Sequence, residues 1–147
     1  MFSLIITIIS IALVAALALA TLYFGGDAFN QGSAKAAAAT VVNQAQQISG
    51  ANTLHYLDSQ SYGDMAALTA GDYLSSAPNP GNIAKTGSSY AIAADGQITL
   101  ELAASSVCDA VNAQAGLSAK PVDVAGLAAV QFGCYGADET ANTFVFK

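Results

Sequence analysis

The chain has 147 residues, a net charge of -6 at neutral pH and an isoelectric point near 4.2, with no arginine and only four lysines. Lys35, Lys85, Lys120 and Lys147 are too few and too scattered to form a basic patch, which excludes an ordinary nucleic-acid-binding protein. Only 10% of residues are charged, and Asn, Gln, Ser, Thr, Ala and Gly stand in their place, a composition that suits burial against identical neighbours.

The first charged residue is Asp27 and the first basic one is Lys35. Before them, Ser3, Thr7, Ser10 and Thr21 are the only polar side chains. A helix over residues 2–24 is roughly 35 Å long at 1.5 Å per residue, and the hydrocarbon core of a bilayer is about 30 Å thick. Three readings compete. A cleavable secretory signal has small residues available at Ala16, Ala18 and Ala20 but lacks a basic n-region. An ordinary single-pass anchor is oriented by flanking Lys or Arg, and none flanks this segment closely. The third reading is an apolar helix left as the mature N-terminus at Met1 once a short basic leader has been removed. It accounts for the missing charge and the retained segment together, and it gives the helix two homes, a bilayer and then the interior of an assembly.

Gly25-Gly26 is the first break, since each glycine weakens a helix by about 1 kcal/mol relative to alanine. Asp27 is placed to cap a renewed helix. From residue 29 to about 59 the sequence is Ala-rich, and Ala38, Val41, Ala45, Ile48, Ala51 and Leu54 form one apolar stripe opposite Asn43, Gln44, Gln46 and Gln47. His55, without Cys or carboxylate partners at ligand spacing, reads as structural. A short helical turn in residues 61–74 and a turn at residues 75–82 follow. Residues 89–94 and 97–102 predict two strands joined by Asp95-Gly96 as a type I′ hairpin, with Ile98, Leu100 and Leu102 on one face. Residues 105–115 predict a helix capped by Ser105 or Ser106 and stopped by Gly116. Val130, Phe132 and Cys134 alternate on a strand; residues 136–142 turn the chain; residues 143–146 make a last strand with Phe144 and Phe146 on one face. Cys108 and Cys134 read as one disulfide made outside the cytoplasm, with two buried free thiols as the alternative.

The sum is an α+β fold: a long N-terminal helix, apolar in its first half and amphipathic in its second, laid on an antiparallel sheet of about four strands. Residues 1–26 form the membrane-type segment and residues 27–147 the helix continuation and head. No nucleophile motif, metal cluster or phosphate loop is present in the sequence, which points away from an enzyme.

This layout resembles the type IV pilin family and the related pseudopilins. The start Met1-Phe2-Ser3-Leu4-Ile5 is similar to that of type IVb-like members. The run Tyr62-Gly63, Leu68, Gly71, Tyr73-Leu74 and Pro78-Asn79-Pro80 is similar to the stretch common after the long helix, and residues 142–147 resemble a pilin C-terminal strand. Cys108 and Cys134 sit where many pilins carry a disulfide-bounded region. Ile5 stands where most members have glutamate, a departure the family allows in some minor subunits, and no proline precedes Pro78.

The resemblance implies a filament subunit with a prepilin-peptidase-processed, methylated N-terminus at Met1 and no cofactor. Phe2, Leu4, Ile5, Ile8, Ile9, Ile11, Leu13, Val14 and Leu17 would form the filament core, with Ala12, Ala15, Ala16 and Ala18 permitting close helix contact. Gly25 and Gly26 would supply helix flexibility. The implied partners are copies of itself in a helical homopolymer, the inner-membrane pilus assembly machinery and the peptidase. The implied location is the inner membrane before assembly and the cell surface afterwards. A minor or pseudopilin subunit, and a monomeric membrane-anchored binding domain, are the alternatives. The loops at residues 77–88 and 136–142 are the candidates for outward contacts.

Overall fold

The computed structural model describes residues 2–138 and 140–147, with the helical backbone alone at 24–27. The element order is α1 (Phe2–Ser59), α2 (Met65–Ala70), β1 (Ala91–Ile92), β2 (Ile98–Glu101), α3 (Ser105–Gln114), β3 (Phe132–Tyr135) and β4 (Thr143–Phe146), with short 3-10 turns at Gly81–Ile83 and Val124–Leu127. This is the expected α+β fold: a long N-terminal helix and a four-stranded antiparallel sheet of order β1-β2-β4-β3. The chain forms two compact units, Met1–Ser33 and Ala34–Lys147. Because α1 is one element across residue 27, Asp27 does not begin a second helix.

In the second unit, α1 buries Ala34, Ala38, Val41, Val42, Ala45, Ile48 and Ala51, one stripe at spacings of three and four. Leu54, expected in this stripe, is 55% exposed instead. It follows Ala45 by nine residues, which at about 100° per residue turns it to the opposite face. The inward position is taken by Asn52, which is only 2% exposed. The stripe shares one core with Ile98 and Leu100 of β2, Cys134 of β3, and Phe144 and Phe146 of β4. Cross-strand partners bring these residues to one face: Leu100 lies opposite Phe144, and Cys134 lies opposite Phe144 on the other side. On the reverse face, Val145 pairs with Gly133, and the Val124–Leu127 turn covers them. A side chain at Gly133 would strike Leu127.

The β1-β2 hairpin departs from the type I′ expectation. Ala91 pairs with Thr99, Ala93 accepts a bond from the Gly96 N–H at 2.9 Å and donates to the Gln97 carbonyl at 2.8 Å. Only Gly96, at φ +86°, is left-handed, so this is a three-residue loop with glycine in the bulge position. Type I′ would need Asp95 left-handed too. The strands are also shorter than predicted. The run before Ala91 leaves the ladder, while Ala84 and Lys85 reach the same edge of β2 near its end through the Ala84–Leu102 bridge and a bond from Lys85 N–H to the Glu101 carbonyl at 2.9 Å.

Helix α3 has Ala104 at its N-cap, without a side-chain hydrogen bond, against the expectation for Ser105 or Ser106. It ends as predicted at Gly116: Leu117 N–H bonds to the Asn112 carbonyl at 2.8 Å and Gly116 N–H to Ala113 at 3.3 Å. The Cys108–Cys134 disulfide ties α3 to β3, with Cα atoms 5.3 Å apart. One turn along, the Asn112 amide donates to the Cys134 carbonyl at 2.9 Å and accepts from the Cys134 N–H at 2.7 Å. A single side chain thus supplies the outer edge of β3 with the bonds a neighbouring strand would make. Val130, predicted on this strand, lies before it, in the turn closed by its N–H to the Leu127 carbonyl at 3.2 Å.

Two predictions follow from this packing. Breaking the disulfide with Cys108→Ala and Cys134→Ala closes no 26-residue loop in the unfolded chain, and the head should lose about 3–4 kcal/mol, read from its denaturant midpoint. At Gly136, a Cβ would fall on the Ala141 carbonyl oxygen, where backbone cannot yield cheaply. Gly136→Ala should therefore cost about 2–4 kcal/mol in the same measurement.

Candidate assembly surface

The residues singled out on the first unit lie on every side of α1, and all are bare. Phe2 is 85% exposed, Ile5 52%, Ile9 53%, Leu13 60% and Leu17 65%; Leu4, Ile8, Ile11 and Val14 are exposed as well. Ala12, Ala15, Ala16 and Ala18 are exposed among them. Three of the four polar side chains before Asp27 turn back onto the helix. Thr7 donates back to the Leu4 carbonyl at 2.8 Å, Ser10 to Ile6 at 2.8 Å and Thr21 to Ala18 at 2.9 Å. Each hydroxyl spends its proton on its own helix, so an apolar medium meets no unsatisfied donor at these three positions.

Such a helix is long and apolar enough to cross a membrane, and none of its apolar window is buried within the chain. A soluble-core helix of this composition would be covered. An exposed apolar surface of this size is compatible with a membrane-spanning segment. At the fifth position, Ile5 leaves the first turn without an acidic group. Met1 lies outside the described residues, as do the side-chain surroundings at Gly25 and Gly26, so the processing and flexibility expectations are not placed by the structure.

In the head, His55 shapes the turn that ends α1. Its Nδ1 is 3.0 Å from the Ser61 carbonyl and 3.1 Å from the Ser59 hydroxyl, and its ring meets Tyr73 edge-on at 5.4 Å. Tyr73 in turn donates to Asp58 at 2.6 Å, and that bond raises the phenol pKa above its usual 10.0.

The two loops expected to face outward differ. Residues 77–88 are tethered: Gln44 donates to the Asn79 carbonyl at 3.1 Å while accepting from the buried Tyr90 hydroxyl at 2.8 Å, and Pro80 and Ala84 are buried. Burial pushes the Tyr90 phenol pKa far up, so it stays a donor. In residues 136–142, Ala137, Asp138, Thr140 and Ala141 are exposed, with Gly136 and Asn142 buried at the base. Asp138 organises the tip, accepting from the Thr140 hydroxyl at 2.7 Å, the Ala141 N–H at 2.7 Å and the Thr140 N–H at 2.8 Å. Lys120 reaches in to the Asp138 carbonyl and, at 3.1 Å, to Asn142 Oδ1.

Sequence reasoning passed over three buried amides, Asn52, Asn112 and Asn142. Only Asn52 left a visible signal, being four residues beyond Ile48 on the apolar stripe. Comparison with protein-family models, with curated proteins and with solved structures finds no match to this chain.

The Thr140 hydroxyl, followed by the Ala141 and Thr140 amides, holds the Asp138 carboxyl below its usual 3.8, with Lys120 adding a smaller favourable charge. A depressed folded pKa stabilises the ionised, ordered tip above the unfolded value and loses that stabilisation as pH falls through the folded value. Amide exchange at Thr140 and Ala141 should therefore stay slow at neutral pH and quicken in acid below the ordinary carboxylate range, once intrinsic exchange is subtracted. Asp138→Asn should abolish that pH dependence.

Proposed function

We propose that this chain is a pilin-like structural subunit. It polymerises through its apolar N-terminal helix into a surface filament that serves adhesion, DNA transfer or motility. The observation that carries this reading is the first half of α1, bare and apolar on every side. The same helix continues into a stripe that builds a disulfide-closed α+β head. In the membrane, lipid covers Phe2 to Leu22; in the filament, copies of the same helix replace it, and the exposed alanines allow close approach. A head-to-tail contact of this kind does not close on itself and yields an open helical polymer. In this reading Met1 is the processed and methylated end, Gly25 and Gly26 give the helix room to adjust its stagger, and the assembly machinery and prepilin peptidase are the membrane partners. In this reading the chain acts structurally, without catalysis or a cofactor.

A minor-subunit role is the second reading, favoured by Ile5. An N-terminal ammonium buried in a helix bundle without a nearby carboxylate is costly, and the first turn offers none. A subunit at a filament end avoids that burial on one side.

Shearing producing cells and imaging the released material tests both readings, with this chain identified by intact mass. Filaments built mainly of it, two hydrogens light for the disulfide, establish the major subunit; traces in a filament of another protein establish the minor one; a chain confined to membranes in the absence of filaments sinks the proposal. Leu13→Asp puts a charge mid-helix at about 2.5–3.5 kcal/mol in the bilayer and should reduce filament incorporation by at least about tenfold. Undiminished incorporation would count against the helix as the core.

A further inference from the structure

The head carries a polar groove of about 300 Å³ at the far end of α1, in which Ser49 and Asn52 of the helix meet Tyr62 and the hairpin residues Asp95, Gly96 and Gln97. That volume is at the lower end of small-molecule sites, roughly 300–1,000 Å³. Asn52 is 2% exposed. Its Oδ1 is fixed by the Gly63 N–H at 2.9 Å, which settles the orientation of the amide, since only oxygen can accept. Its Nδ2 has no hydrogen-bond partner among the described residues, yet no fully occluded side-chain nitrogen or oxygen among them lacks one. The Nδ2 therefore keeps some solvent access, and Asn52 lines the groove. An acceptor on a bound ligand can take the place of water at that donor.

The other walls supply the complementary chemistry. The Asp95 carboxylate already receives the Gln97 N–H at 3.1 Å and keeps further acceptor capacity. The Ser49 hydroxyl and the Gln97 side-chain amide can each donate and accept. Tyr62 stacks on Tyr56 at 4.7 Å and 28°, giving the rim a rigid aromatic edge. Lys147 also lines the groove, but its ammonium donates to the Leu127 carbonyl. Asp95 and the net charge of -6 disfavour an anion, and no cluster of ligating side chains for a metal ion occurs among the described residues. We infer that this groove binds a neutral sugar unit of a glycan, whose hydroxyls each donate and accept and so satisfy the mixed set around Asn52. The inference holds whether or not the chain polymerises.

The test is a titration of the full chain, labelled with nitrogen-15 and held in a detergent without a sugar headgroup, with glucose, galactose, N-acetylglucosamine and maltose. With at least one of these, the Asn52 side-chain amide and the Gly96 and Gln97 main-chain amides should shift and saturate together. Asp95→Asn and Gln97→Ala, both at the hairpin surface, should each weaken binding about fivefold to tenfold, as loss of a hydrogen bond does, with the rest of the spectrum unmoved. Asn52→Ala is avoided because Asn52 also holds Gly63. Unmoved Asn52 resonances with every sugar would overturn the inference, as would affinities unchanged in both variants. A response to inorganic phosphate or a tripeptide, in place of the sugars, would overturn it equally.

Discussion

The head depends on one contact: the stripe of small and branched residues on α1 lying against the sheet. Ala38, Val41, Ala45 and Ile48 have no exposed surface, and neither do Ile98 and Phe144 in the same core. The large side chains of β2 and β4 fill the space that these small residues leave in the shared core. At about 25 cal/mol for each Å² of apolar surface removed from water, this is the main favourable term a head of this size has. The constraint is that the same helix must leave its earlier residues uncovered. One element therefore carries two surface chemistries, an apolar ring on residues 2–23 and a single stripe from Ala34 onward.

Where regular structure stops, buried amides take over. Asn52 holds the Gly63 N–H beyond the end of α1, Asn112 holds both polar groups of Cys134, and Asn142 receives Lys120 at the base of the last loop. At Gly63 and Cys134 a side chain bonds main-chain groups that lack a helix or ladder partner, as buried backbone requires; at Asn142 the bond is between side chains. Charged groups share this work: Asp138 accepts from the Thr140 and Ala141 N–H groups, and Lys120 and Lys147 donate to the Asp138 and Leu127 carbonyls. The Lys85–Glu101 pair, 3.8 Å apart and exposed on both sides, contributes little.

Much of this was legible in the sequence, and the reasons are particular. The apolar segment announced itself by composition alone. Strand β2 was readable because Ile98, Leu100 and Leu102 alternate with Thr99 and Glu101, and the end of α3 because Gly116 follows its last apolar turn. The disulfide followed from an even cysteine count beside an export-type segment and is present. What was missed depends on tertiary context. Leu54 extends the apolar run in the sequence but is out of phase with the stripe. Asp95-Gly96 favours type I′ locally, yet the register of β1 on β2 imposes a longer loop, with the Tyr62 ring close against Gly96. The Val124–Leu127 turn has too few residues to show any period. The groove beside Asn52 was invisible because residues 49–52, 62 and 95–97 meet only in the folded head.

The double attachment of β3 has a consequence for solubility. An outer strand with open main-chain groups can template pairing with another chain, the route to strand exchange and amyloid. Here the Asn112 amide occupies the donor and acceptor of Cys134 without help from sulfur chemistry. On the other side of the sheet, Ala84, Lys85 and β1 occupy β2. A head that has folded but not yet been oxidised is thus already shielded against sheet-to-sheet growth at this position.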